Sequence, residues 1–296
     1  MNIRDLEYLV AVSEHQHFGR AAEACFVSQP GLSIQLKKMS DVLGVKIFEQ
    51  DKKKKLITTP AGEQIIQQAR QILSQFEVLK SMAKAEQNLF ERTITVGIFP
   101  TLAPYVLPVI APLLTKKYPQ LKILWQEKKT DELVLDLKEG RLDAALLADF
   151  STPESLTSLP LFNEPFYLAV AQNHPLAKRK TIELSDLHGQ ELLLLEDGHC
   201  LKEQALKICH LNGASMSPEF RATSLETLRY MIAANGGITL MPHLAKKSND
   251  SIHYIAFRKS KPERHISLFF RQFYPQPKLF EALADLIKQK MKGVLP

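Results

Sequence analysis

The chain has no long apolar run. Its 296 residues are 45% hydrophobic, yet no stretch approaches the ~20 consecutive apolar residues of a membrane-spanning helix. The opening Met1-Asn2-Ile3-Arg4-Asp5 is followed by no unbroken apolar segment of the kind a secretory leader needs, so the expected location is the cytoplasm, with no membrane partner. Cysteine is scarce. Three occur, Cys25, Cys200 and Cys209, which excludes a disulfide-stapled fold, and in a reducing compartment any disulfide among them is expected to be transient. Glycine and proline are missing between Gly62 and Gly97, so that stretch carries no helix breaker. A disordered chain is excluded by the ordinary share of apolar and charged residues. What is present is a net charge of +6, which favours an anionic partner without establishing one, and a length that suits about two domains and a connector.

The first sixty residues read as three short amphipathic helices. Ile3, Leu6, Leu9 and Val10 stripe the first, and Phe18, Ala21, Ala22 and Cys25 fall on one face of the second, which makes Cys25 a core residue. Ser28 suits an N-cap, Leu32, Leu36, Met39 and Leu43 stripe the third helix, and Gly44 stops it. At about 100° per residue, the opposite face of that helix carries Pro30, Ile34, Lys37 and Lys38 with Ser33 at its edge, and Gln29 lies in the first turn. Small, polar and basic groups around one outward isoleucine suit a DNA major groove, although pattern alone also fits a solvated face. Two apolar segments flank Lys52, Lys53, Lys54 and Lys55, as in a two-stranded wing whose tip meets phosphates, or a plain solvated loop.

From Thr59-Pro60 the spacing predicts one long helix over 61–89, roughly 43 Å of it. Ile65, Ala69, Ile72, Phe76, Leu79 and Ala83 form a heptad-like seam that wants a partner helix. After Thr93 strand-like runs alternate with helical ones, which argues for an α/β module with a mostly parallel open sheet and ligands at strand carboxyl ends.

Leu194 to Leu201 reads as a strand passing into a helix, with Cys200 at the helix N-terminus beside His199. The helix dipole and the imidazole both favour the thiolate, a nucleophile suited to a peroxide oxygen. Cys209 is nine residues on. In one continuous helix that separation is about 13.5 Å and half a turn, whereas a disulfide needs Cα atoms within roughly 7 Å. Bonding would therefore require the segment to unfold and repack. Spacing alone favours a buried structural pair, since Cys209 follows Ala205 on an inward face.

The order Phe18-x-Arg20-Ala21-Ala22, Ser28-Gln29-Pro30-x-Leu32-Ser33-x-Gln35, Leu43-Gly44-x-x-Ile47-Phe48 and Thr59-Pro60-Ala61-Gly62 resembles the LysR-type winged helix-turn-helix over about sixty residues. Leu193 to Cys200, then Cys209, then Phe220 to Arg229, together with Met1 to Ala11, is similar to the peroxide-sensing branch of that family along the whole chain. The resemblance implies an N-terminal all-α winged helix-turn-helix DNA-binding domain (1–60), a linker and dimerisation helix (61–90), and a two-lobed α/β effector domain like the periplasmic binding proteins (91–296). Lobe one would span 91–161 and 269–296, and lobe two 162–268. It implies Cys200 as the peroxidatic cysteine, Cys209 as the resolving one, and a peroxide pocket of Thr101, Thr130, His199 and Arg271. It further implies double-stranded promoter DNA, hydrogen peroxide, RNA polymerase and thiol reductants as partners, a homodimer and homotetramer, no cofactor or metal, and a regulator rather than an enzyme. Three departures stand out: Gln50 where the family has arginine, Lys202 where relatives have arginine, and Glu219 where some have histidine. The rival readings are a LysR-type regulator of a small organic effector with inert cysteines, and a thiol peroxidase. The winged helix speaks against the peroxidase.

Overall fold

The computed structural model describes residues 1–50, 56–83, 89–148, 153–196, 204–206, 208, 215–222, 224–259 and 261–296. Two compact units emerge, Met1–Gln87 with Lys138–Gly140, and Asn88–Leu137 with Arg141–Pro296.

In the first unit every helix starts where a side chain satisfies orphan amides. Helix α1 (Ile3–His15) opens on a reciprocal capping box between Asn2 and Asp5, and α2 (Phe18–Ala24) opens on His17, whose Nδ1 accepts from Gly19 and Arg20 N–H. Helix α3 (Gln29–Leu43) begins under Ser28, which accepts from Gly31 N–H, and ends at Gly44 in the left-handed region. Leu6, Leu9, Val12, Ala21, Ala22, Leu32, Leu36 and Met39 close one core. Two expectations shift at helix ends. Leu43 is exposed, because α3 stops one residue later, and Cys25 is only half-buried at the C-cap of α2.

Strands β1 (Phe48–Gln50) and β2 (Leu56–Thr58) pair antiparallel as a wing, and Lys52, Lys53 and Lys54 lie outside the described residues. Helix α4 (Pro60–Ala83) follows, with Thr59 Oγ1 accepting from Gly62 N–H. A Cβ at Gly62 would stand 2.2 Å from the Ile47 carbonyl oxygen, so glycine is what lets the helix rest on the chain entering the wing. Ile66 and Ala69 enter the helix-turn-helix core. The described part of α4 is 24 residues, about 36 Å; residues 84–88 of the 61–89 span expected from sequence lie outside the described residues, and Leu89 and Phe90 form a turn.

The second unit starts with β3 (Thr93–Ile98), α5 (Ala103–Lys117), β4 (Lys122–Glu127), α6 (Thr130–Lys138) and β5 (Ala144–Ala148), with β4 and β5 both parallel to β3. The 16-residue β6 (Leu156–Ala171) then runs antiparallel to β12 (Glu263–Arg271), which is antiparallel to β5. Beyond β6 come β7 (Thr181–Ile182), β10 (Thr239–Pro242) and β11 (Ile252–Phe257), giving the sheet order β4-β3-β5-β12-β6-β11-β7 with β10 also on β6. A parallel pair, β8 (Glu191–Leu195) with β9 (Ser215–Ala222), forms a second sheet bridged from Leu192 to Ile238 just before β10, and helices α7 (Leu225–Ala233) and α8 (Pro277–Met291) complete the order. The sheet is mixed rather than mostly parallel, because β6 and β12 meet their neighbours antiparallel.

Two hydrophobic cores result. One joins Val96, Ile98, Val106, Ile110, Phe280 and Leu283, and the other joins Phe166, Leu168, Leu194, Leu228, Leu240 and Ile255. Ile266 and Leu268, assigned from sequence to the second lobe, belong to the first core. The β6/β12 register shifts between Ile266 and Ser267. Beside that shift Glu164 faces Arg264 across the strands with both side chains wholly buried, Nη2 2.7 Å and Nε 2.8 Å from Glu164 Oε2. The other carboxylate oxygen accepts from Leu244 N–H at 2.8 Å.

Removing one partner of such a pair strands a buried charge. Glu164→Ala is therefore expected to cost about 3–5 kcal/mol in urea unfolding, and the double variant Glu164→Leu/Arg264→Met far less. Equal losses in single and double variants would show that the pair is not what the fold leans on. Gly62→Ala is expected to lower stability by about 1–3 kcal/mol, the cost of overpacking, read by the same unfolding curve.

Candidate functional site and DNA-binding face

The outward face of α3 is open. Gln29, Pro30, Lys37 and Lys38 are exposed and Ser33 half-buried, while Ile34 keeps 54% of its surface in solvent. An apolar side chain left outward between two lysines and a short polar edge is suited to a thymine methyl, with the lysines within reach of phosphates.

Thr101 and Thr130 occupy equivalent places. Thr101 follows the carboxyl end of β3, and Thr130 opens α6 just beyond the carboxyl end of the neighbouring parallel strand β4. This is where open α/β sheets bind ligands, because successive strand ends and helix N-termini converge there. Thr101 is buried, and its hydroxyl accepts from Arg264 Nη1 at 3.2 Å, while its carbonyl accepts from Arg264 Nη2 at 3.2 Å. Phe99 lies under the same guanidinium, 5.4 Å from the ring centroid. Thr130 Oγ1 is buried and has no hydrogen-bond partner among the described residues.

Lys129, the residue before α6, meets Glu196 Oε1 at 2.9 Å. Glu196 directly follows β8, its N–H donating to Ala222 O, and the chain passes from it into 197–203. His199, Cys200, Lys202 and Cys209 lie outside the described residues. Residues 204–206 are helical, and neither end of the buried Gln204 amide has a partner among the described residues.

Arg271 is placed differently from its expected pocket role. Strand β12 runs antiparallel to β5, so its last residue lies at the amino end of β5, away from the strand ends that present Thr101 and Thr130. Arg271 Nη1 donates there to the carbonyls of Leu137 (3.0 Å) and Leu142 (2.6 Å), and its guanidinium packs on Tyr274. The arginine at Thr101 is Arg264, seven residues earlier, about 23 Å of strand away. Sequence reasoning missed Arg264, Glu164, Lys129, Glu196 and Gln204. Only the pairing register identifies Arg264 and Glu164, whereas Glu196 stands in the Leu-Glu-Asp-Gly-His-Cys run and could have been found from it.

Comparison with known proteins fits this geometry. Residues 3–63 match the family described as bacterial regulatory helix-turn-helix protein, lysR family, and residues 87–292 match the LysR substrate binding domain. The chain is 45% identical over 298 residues to a protein of Pectobacterium carotovorum subsp. carotovorum named hydrogen peroxide-inducible genes activator, covering 100% of this chain and 98% of that protein. Among solved structures it is similar to a full-length OxyR variant from Pseudomonas aeruginosa, at 34% identity and a TM-score of 0.83, covering 97% of this chain and 95% of that one. It is also similar to the oxidised form of OxyR, at 40% identity and a TM-score of 0.65, covering 71% of this chain and 100% of that one. With both units matched and relatives similar from end to end, this chain belongs to the LysR family.

Proposed function

We propose that this chain is a DNA-binding transcription regulator that senses hydrogen peroxide through Cys200 and stores the signal as a Cys200–Cys209 disulfide. The observation that carries the reading is the Lys129–Glu196 ion pair. It ties the strand end leading into His199 and Cys200 to the start of α6, where Thr130 holds a buried hydroxyl without a partner among the described residues. Thr101, held by Arg264, supplies a second hydroxyl from the neighbouring strand end. Arg264, rather than Arg271, is the arginine of the proposed pocket, fixed by Glu164 so that its Nη1 meets the Thr101 hydroxyl.

The chemistry balances without a cofactor. The Cys200 thiolate attacks one peroxide oxygen, the S–O bond forms as the O–O bond breaks, and the departing hydroxide takes a proton to become water. Thr101 and Thr130 hydroxyls are suited to donate to that departing oxygen. The Cys209 thiol then displaces water from the sulfenic acid, and cellular thiol reductants return both cysteines to thiols. One oxidation sets a state, so the protein acts as a switch rather than a turnover catalyst. The α3 face and the wing, with Lys52, Lys53 and Lys54, would hold promoter DNA, and RNA polymerase would read the result. The proposed location is the cytoplasm, where such a regulator meets promoter DNA; no helix among the described residues is long and apolar enough to cross a membrane.

Along α4 the seam residues Ile72 and Leu79 are exposed, Leu79 by 63%, and this supports pairing of two copies through that helix and a tetramer made of two such dimers. Leu79→Glu is expected to weaken dimers by at least about tenfold in sedimentation equilibrium, the loss of one buried apolar side chain. An unchanged dimer would place the interface elsewhere.

One equivalent of hydrogen peroxide added to the reduced protein, followed by non-reducing peptide mapping, is expected to yield the Cys200–Cys209 link, and Cys200→Ser to abolish it. Both thiols remaining free would instead favour a small organic effector between the lobes. Cys25 serves as an internal control. Burial, and then the Glu7 carboxylate, raise its thiol pKa above the ordinary value, so less of it is thiolate at neutral pH. Iodoacetamide at pH 7 is expected to label Cys25 more slowly than Cys200.

A further inference from the structure

Helix α2 ends in a hydrogen-bonded turn that ordinarily calls for glycine. Val27 N–H donates to Ala22 O at 3.0 Å and Phe26 N–H to Glu23 O at 3.1 Å, the paired bonds of a Schellman cap. The residue between them must adopt a left-handed conformation, and here it is Phe26, with φ of 56°. A Cβ at that φ is strained, and glycine would relieve it. The other non-glycine residues with positive φ among the described residues are Gln16, Asn235 and Ser251, all polar. Phe26 also carries a second cost, since its ring is 95% exposed, more than any other large apolar side chain among the described residues. Val27 packs against the helix-turn-helix core and fixes the turn, so the ring is held outward.

The ring's position indicates what it meets. Phe26 stands two residues before Ser28, the cap of α3, and the exposed Gln29 and Pro30 of the first turn follow directly. It is therefore continuous with the face assigned to DNA. From this we infer that Phe26 is a DNA contact, packing its ring against the deoxyribose and thymine-methyl edge of the duplex at the mouth of the groove. The inference rests on the DNA-binding reading above. An uncharged ring displaces no counterions, so its contribution is independent of salt, unlike that of the lysines on α3. It also favours thymine at the base step it covers.

The test uses the reduced full-length chain, a duplex that the wild-type protein selects from a random-sequence library, and fluorescence anisotropy at several salt concentrations. Phe26→Asn and Phe26→Gly should weaken binding to the selected duplex by about tenfold, the loss of one apolar contact, with an unchanged salt slope. Their melting temperatures should stay the same or rise, because both residues accept the left-handed turn. Phe26→Tyr should keep most of the affinity. Binding by the Asn and Gly variants equal to wild type would overturn the inference, as would an affinity loss that tracks a fall in melting temperature. A wild-type chain that selects no duplex would instead overturn the DNA-binding reading beneath it.

Discussion

The Glu164–Arg264 pair is the constraint around which the second unit is arranged. Two ions this deep cannot be solvated, so each must be satisfied by neighbours, and the neighbours come from every side. Arg264 divides its donors between Glu164 and Thr101, and Glu164 spends its second oxygen on Leu244 N–H. The short 3-10 turn His243–Ala245 is thereby gripped by Glu164 at one peptide and by Arg229, which donates to Ala245 O, at another. Arg229 in turn meets Glu226, and Glu226 accepts from Tyr105 of α5 at 2.7 Å. Charged groups that stabilise little in themselves thus fix the relative placement of elements belonging to both cores.

The same economy of polar groups shapes the proposed pocket. The Thr101 hydroxyl accepts from Arg264 and keeps its own proton to donate, whereas Thr130 has no hydrogen-bond partner among the described residues. A peroxide needs a donor toward its departing oxygen and little else, and two hydroxyls at neighbouring strand ends suit so small a ligand.

Legibility from sequence followed the range of the interactions. The helix-turn-helix was readable because its determinants are local: Ser28 caps α3, Gly44 stops it, and Leu32, Leu36 and Met39 repeat at helical spacing. The outward set Gln29, Pro30, Ser33, Ile34, Lys37 and Lys38 followed from that same period. Some elements set by distant pairing were not readable. Strand β9 contains Pro218, which sequence reasoning treats as a strand breaker, and β11 alternates too weakly to stand out. Thr101 and Thr130 came from resemblance, and the structure puts both at adjacent strand ends. Arg271 also came from resemblance, and only the antiparallel pairing of β12 with β5 and β6 decides that Arg264, not Arg271, lies at the strand end that presents Thr101.

Strand β6 threads both cores, and its partner β12 arrives late in the chain: Glu164 and Arg264 are 100 residues apart. The first core also takes Phe280, Leu283 and Ile287 from α8, near the end of the chain. A ribosome must therefore finish the whole second lobe before the first can close, and the growing chain carries an open apolar sheet edge meanwhile. Such long-range closure slows folding. It also makes the two lobes one cooperative block, since neither can melt without drawing a central strand out of the other.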